Sequence, residues 1–194
     1  MRTDDATVAG ALFVALPALF TTTLMLAAAM APDYDVGAAA ISELGVIPET
    51  ALLFNAAMVA TGVGNAAAGR YFYRVHGRRW LVALFVVAGV GTAGVGVFPM
   101  DTGAPHAVAA FVAFSAFNLQ ALGTATWLDG AMRAFAVVAG VVGLLALGWF
   151  VLGGGEGSAA YAPFGYGGVE RLIVYPGLLW SVALGGYLLA PGQS

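Results

Sequence analysis

Six side chains with chemical capacity fall in three separated stretches: Ser42 and Glu43, then Asp101 and His106, then Glu170 and Arg171. Serine, histidine and aspartate are the types that acyl transfer needs, with Ser42 as nucleophile, His106 as its base and Asp101 as the carboxylate that orients the base. Ser42 lacks the Gly-x-Ser-x-Gly elbow that exposes a strained nucleophile. His106 with Asp101 and Glu43 also offers one imidazole and two carboxylates to a divalent cation. The chain has only two histidines, and His76 belongs to a different connection, so a three-histidine zinc site within one chain is excluded. No metal and no cofactor is expected. The plainer chemistry is a tie: Glu43 or Asp101 paired with Arg171, whose planar fork suits a carboxylate, while His106 caps a helix or bonds a loop carbonyl.

The elements that must position these groups follow from composition. Of 194 residues, 61% are hydrophobic and 9% charged, against roughly 25% charge in a soluble domain. Six apolar runs of spanning length lie at about 7–31, 50–70, 80–98, 105–127, 132–152 and 172–190, since roughly 20 apolar residues cross the hydrocarbon. The fold class is therefore all-α, an integral membrane six-helix bundle, read as a single membrane domain over 1–194. The third run carries Gly89, Gly91, Gly94 and Gly96, which let helix backbones approach closely and suggest a central position. Pro17 and Pro176 each remove a backbone donor inside a span and predict kinks.

Orientation follows from the arginines, which are the only cationic residues besides histidine. Arg2, Arg70, Arg74, Arg78, Arg79 and Arg133 fall on one side and Arg171 on the other. The positive-inside rule then places both termini in the cytoplasm of a multi-pass cell-membrane protein. The three candidate stretches lie together on the outer side, which also collects Asp33, Asp35, Glu49 and Glu156. Charged groups at such depth are costly unless paired or facing water, so their convergence predicts a shared polar pocket. Residues 32–49 are too apolar for a free linker and predict a short interfacial helix around Ile41–Gly45. Residues 153–171, rich in glycine with Tyr161 and Tyr166, predict a mobile lid over the outer ends.

Other function classes recede. A net charge of −3 with no basic patch excludes a nucleic-acid footprint. The absence of cysteine removes disulfides and thiol chemistry. No ionisable residue sits at the middle of a span, which argues against a proton-coupled carrier. Asn55, Asn65, Ser115, Asn118 and Gln120 are expected to make interhelical hydrogen bonds, and His76 among four arginines to belong to a headgroup-contacting loop. Absent lysine, abundant alanine and glycine, and an acidic pI of about 5.1 point to a GC-rich prokaryote.

The order Ile41-Ser42-Glu43-Leu44-Gly45, Phe54-Asn55 with Gly62, Gly96-Val97-Phe98-Pro99-Met100-Asp101 followed by His106, and Gly168-Val169-Glu170-Arg171-Leu172 resembles the six-span prokaryotic membrane proteins of domain-of-unknown-function family 998. More distantly it resembles the Frag/DRAM/Sfk membrane proteins. The resemblance implies a six-helix membrane protein with no established activity, a Glu-Arg pair before the last helix, and added weight for Asn55. The expected ligand-binding set is Glu43, Asn55, Asp101, His106, Glu170 and Arg171, facing a lipid headgroup, an ion or a protein partner in the membrane. Membrane lipids are the expected partners. The alternative is a lipid hydrolase or transferase with catalytic candidates Ser42, Asp101 and His106.

Overall fold

The structure, a computed structural model, describes residues 2–190, without the side chains of Arg2 and Thr3. The Arg2 charge counted above thus lies outside the described side chains. Six helices follow in chain order: α1 (Arg2–Met30), α2 (Ala51–His76), α3 (Arg79–Val97), α4 (Ala104–Ala125), α5 (Gly130–Leu152) and α6 (Gly165–Leu189). Three 3₁₀ segments interrupt the connections, at Ile41–Gly45, Met100–Thr102 and Ala159–Tyr161. The first coincides with the short helix expected there.

Each helix packs on its neighbours in sequence, α6 returns to α1, and α4 also touches α6 across the ring. All six are long and apolar enough to cross a bilayer, yet only 28% to 44% of each apolar window is buried. The remainder is outward-facing apolar surface, such as Leu52, Val90, Leu145 and Leu152. Water does not tolerate apolar surface on that scale around a whole ring, whereas lipid requires it. The chain is an integral multi-pass membrane protein.

Small residues set the helix spacing. A Cβ at Gly89 would stand 2.5 Å from the Gly62 carbonyl oxygen, and one at Gly91 would stand 2.6 Å from the Ala113 backbone nitrogen. The α3 glycines therefore bring α2 and α4 close, as expected. They do not make α3 central: it occupies the ring between those two helices, and the most buried spans are α4 and α6. Close approach says how near two helices lie, not how many helices surround one of them.

Side-chain amides and hydroxyls bond to backbone carbonyls of neighbouring helices. Asn65 donates to Phe85 O at 3.0 Å, Gln120 to Leu84 O at 3.3 Å, Asn118 to Ile173 O at 3.1 Å and Ser181 to Phe13 O at 3.1 Å. Each such bond contributes on the order of 0.6 kcal/mol in a membrane.

Two helices extend beyond their apolar runs. α2 continues through Arg70 and Arg74 to His76 and stops at Gly77, whose φ of 70° supplies the left-handed cap. The α2–α3 connection is thereby reduced to two residues. His76 is not a headgroup-contacting loop residue, because its ring packs 3.9 Å from Trp127 and 4.5 Å from Phe72, centroid to centroid. α6 begins at Gly165, which places Glu170 and Arg171 inside its second turn and shortens the preceding connection to 153–164. The glycines that read as loop are needed where the α1–α2 connection lies on this helix: Gly168 N donates to Gly37 O at 3.1 Å, and a Cβ at Gly167 would collide with the Ala39 carbonyl.

Candidate ligand chamber

One end of the ring bears the α1–α2, α3–α4 and α5–α6 connections and is called the distal end. Here Glu170 and Arg171, adjacent on α6, point to different partners. Both are buried, with 2% and 7% of their surface exposed. Glu170 Oε2 accepts from Ile41 N at 2.5 Å, and Oε1 accepts from Ser42 Oγ at 3.4 Å. A carboxylate receiving two donors replaces part of the hydration it lost on burial.

Arg171 does not pair with a carboxylate. Its Nη1 donates to Gly167 O at 2.9 Å and Ala39 O at 3.2 Å, and its Nη2 donates to Tyr34 Oη at 2.8 Å. Tyr34 in turn donates to Ala40 O at 2.9 Å. Burial holds the Tyr34 hydroxyl above its ordinary pKa, partly offset by the hydrogen bond and charge of Arg171, so the phenol stays a donor at neutral pH. The arginine thus clamps the α1–α2 connection onto the first turns of α6. The expected carboxylate partner is displaced because loop carbonyls, whose positions depend on the loop's own folding, reach the guanidinium first.

The other sequence-selected residues separate by role. Glu43 Oε1 accepts from Ala40 N at 2.5 Å and closes its own 3₁₀ turn. Asn55 donates to Gly45 O at 2.8 Å, tying α2 to that turn. Asp101 is exposed on the Met100–Thr102 segment. His106 is buried, and its Nδ1 lies 2.8 Å from Phe98 O. A carbonyl can only accept, so Nδ1 carries the hydrogen in this bond. The Ser42–His106–Asp101 triad is therefore not assembled: Ser42 bonds Glu170 and His106 bonds a backbone carbonyl. Four expected members, Glu43, Glu170, Ser42 and Arg171, gather around the junction of α6 with the first 3₁₀ turn, His106 stands across the adjoining space, and Asp101 and Asn55 lie apart from it.

That space is a chamber of about 550 Å³ between α4, α5, α6 and the first 3₁₀ turn, within the range of roughly 300–1,000 Å³ usual for small-molecule sites. Ser42, His106, Glu170 and the Tyr166 hydroxyl are its polar side-chain groups, and Phe111, Phe114, Phe150 and the Tyr166 ring form its aromatic wall. Phe150 and Tyr166 stack on each other at 4.5 Å with an interplanar angle of 24°. Tyr166 and Glu170 are one helical turn apart on α6 and so share a face. Phe111 and Val151 line the chamber and are also more than half exposed on the apolar exterior. The chamber thus reaches the lipid-facing surface between α4 and α5. A narrower interhelical cleft of about 90 Å³ continues from it toward the ring's interior and shares Ser42, Ala110, Phe114 and Glu170 in its lining. The aromatic wall escaped the sequence reading because Phe111, Phe114 and Phe150 are indistinguishable there from lipid-facing residues of a span.

The 153–164 connection, expected to be a mobile lid, has a fixed anchor. Tyr161 is buried, donates to Phe150 O at 2.8 Å and accepts from Gly155 N at 3.2 Å, while Trp149 Nε1 donates to Ala160 O at 2.9 Å. This connection braces α5 next to the chamber.

Among known proteins, a family model described as "Protein of unknown function (DUF998)" matches residues 8–187. No curated protein and no solved structure matches the chain.

Proposed function

The chain belongs to the DUF998 family of proteins of unknown function, and from that premise we propose that it binds a membrane amphiphile at its distal end. The observation that carries this reading is Glu170, buried at the wall shared by a 550 Å³ chamber and an apolar cleft. A buried carboxylate is costly and is kept where it serves a site. In this reading the polar head of the amphiphile lies against Glu170 and Ser42. The cleft, at about 90 Å³, is far smaller than the chamber, so most of the tail leaves past Phe111 and Val151 into the bilayer. The arginine distribution supports placing this end at the outer face of the cell membrane with both termini in the cytoplasm. A binding role is preferred over hydrolysis because His106 Nδ1 and the Ser42 hydroxyl are committed to Phe98 and Glu170 rather than to each other.

The test is native mass spectrometry of the protein ejected from lipid nanodiscs, compared with Ala107→Trp. Ala107 lines the chamber but is exposed, so the indole fills the space without burdening the helix packing. Wild type is expected to retain a lipid adduct that Ala107→Trp loses at unchanged thermal stability. Equal adducts on both proteins, or none on either, refute the reading.

A further inference from the structure

We infer that the group taken by this chamber is a cation, the ammonium of an amine-bearing amphiphile. This inference rests on the amphiphile-binding reading and specifies its head. Three independent features of the wall converge on it. Its polar groups include the acceptors of the Glu170 carboxyl and the Ser42 oxygen, whose hydrogen is given to Glu170, beside the His106 ring and the Tyr166 hydroxyl. Among the described residues no arginine lines the chamber, and a phosphate there would face the Glu170 carboxyl.

Charge points the same way. Glu43, the other carboxylate at this junction, is turned to Ala40 N in its own 3₁₀ turn. The Arg171 guanidinium is turned toward Tyr34, Ala39 and Gly167 and makes no ion pair with Glu170, whose oxygens meet the Ile41 amide and the Ser42 hydroxyl. A cation in the chamber gives the Glu170 carboxyl the charged partner that Arg171 does not provide, where low dielectric makes the match effective. The third feature is the aromatic lining of Phe111, Phe114, Phe150 and Tyr166, since aromatic rings are the side chains that attract quaternary and primary ammonium groups. Tyr166 stands one turn from Glu170 on α6, so ring and carboxylate meet the head from one side of the chamber.

The experiment compares three probes with the same tail in the same nanodiscs: hexadecyltrimethylammonium, hexadecyl phosphate and hexadecanol, each titrated and counted as bound adduct by native mass spectrometry. The ammonium is expected to bind at least ten-fold tighter than either other head. Glu170→Gln, which keeps an acceptor for Ile41 N, is expected to abolish that preference, bringing the ammonium down to the level of the other two heads. Phe111→Leu, on an exposed position, is expected to weaken the ammonium several-fold more than the other two heads, and reads the same wall should Glu170→Gln fold poorly. Hexadecyl phosphate or hexadecanol binding as tightly as the ammonium, with sensitivity to Ala107→Trp, overturns the cation and leaves the amphiphile reading standing. Failure of all three probes to bind overturns both. Tetramethylammonium, a head without a tail, is expected to compete far more weakly than hexadecyltrimethylammonium; equal competition would support the cation and overturn the amphiphile.

Discussion

Replacing Arg171 by alanine is expected to lower the stability of the protein by about 3–5 kcal/mol, the scale of breaking a buried charge arrangement by removing one member. Three hydrogen bonds are lost at once, to Tyr34, Ala39 and Gly167, and hydrogen bonds to a charged group are worth about 1.5–3 kcal/mol each before compensation. Glu170 is simultaneously left without its nearest positive charge in a position that is 2% exposed. Arg171→Lys is expected to recover only part of the loss, because one ammonium has the charge but not the planar fork that spans Tyr34 and the carbonyls. The measurement is the unfolding midpoint in mixed micelles for the three proteins. A loss below about 1 kcal/mol, the range of an exposed pair, would mean that the clamp does not hold the α1–α2 connection to α6.

The second large effect lies in the helix packing. Gly62→Val places a Cβ 2.5 Å from Ala93 N and 2.9 Å from Ala93 Cβ, close also to the Gly89 carbonyl. Backbone cannot move aside as a flexible side chain can, so α2 and α3 must separate. Overpacking of this kind costs typically 1–3 kcal/mol and occasionally more, and contact with α3 backbone at two residues puts Gly62→Val at about 3 kcal/mol. Gly148→Ala is the matched control, since a Cβ there meets nothing within 4 Å; it is expected to be neutral or stabilising by up to about 1 kcal/mol. Equal midpoints for the two variants would contradict the close α2–α3 contact.

What the amino-acid sequence made legible, and what it did not, divides along physical lines. The six helices were legible because the bilayer demands long apolar runs and satisfied backbones, a constraint that acts locally on each segment. Helix ends were not, because arginines at Arg70 and Arg74 and glycines at Gly165, Gly167 and Gly168 have two meanings. They interrupt an apolar run, yet the arginines continue a helix into the interface and the glycines admit a second backbone onto it. The convergence of Ser42, Glu43, Glu170 and Arg171 was foreshadowed by their expected common side of the membrane. The partners of Arg171 were not, since opposite charge is visible in a sequence whereas the position of the Ala39 carbonyl depends on how the connection folds. Asp101 and His106 illustrate the same limit: five residues apart, one is exposed and the other buried against Phe98 O, because the 3₁₀ turn and the left-handed Gly103, at φ 73°, rotate the chain between them.

The central claim is that the chamber beside Glu170 holds the head of an amphiphile, and the most direct measurement is an electron cryomicroscopy structure of the protein in lipid nanodiscs. The expected result is an elongated density whose head lies within hydrogen-bonding or ion-pair distance of Glu170 beside Tyr166, with its tail leaving between α4 and α5 past Phe111 and Val151. A chamber closed by side chains, or filled only by separate water peaks while ordered lipid lies elsewhere on the ring, would contradict it.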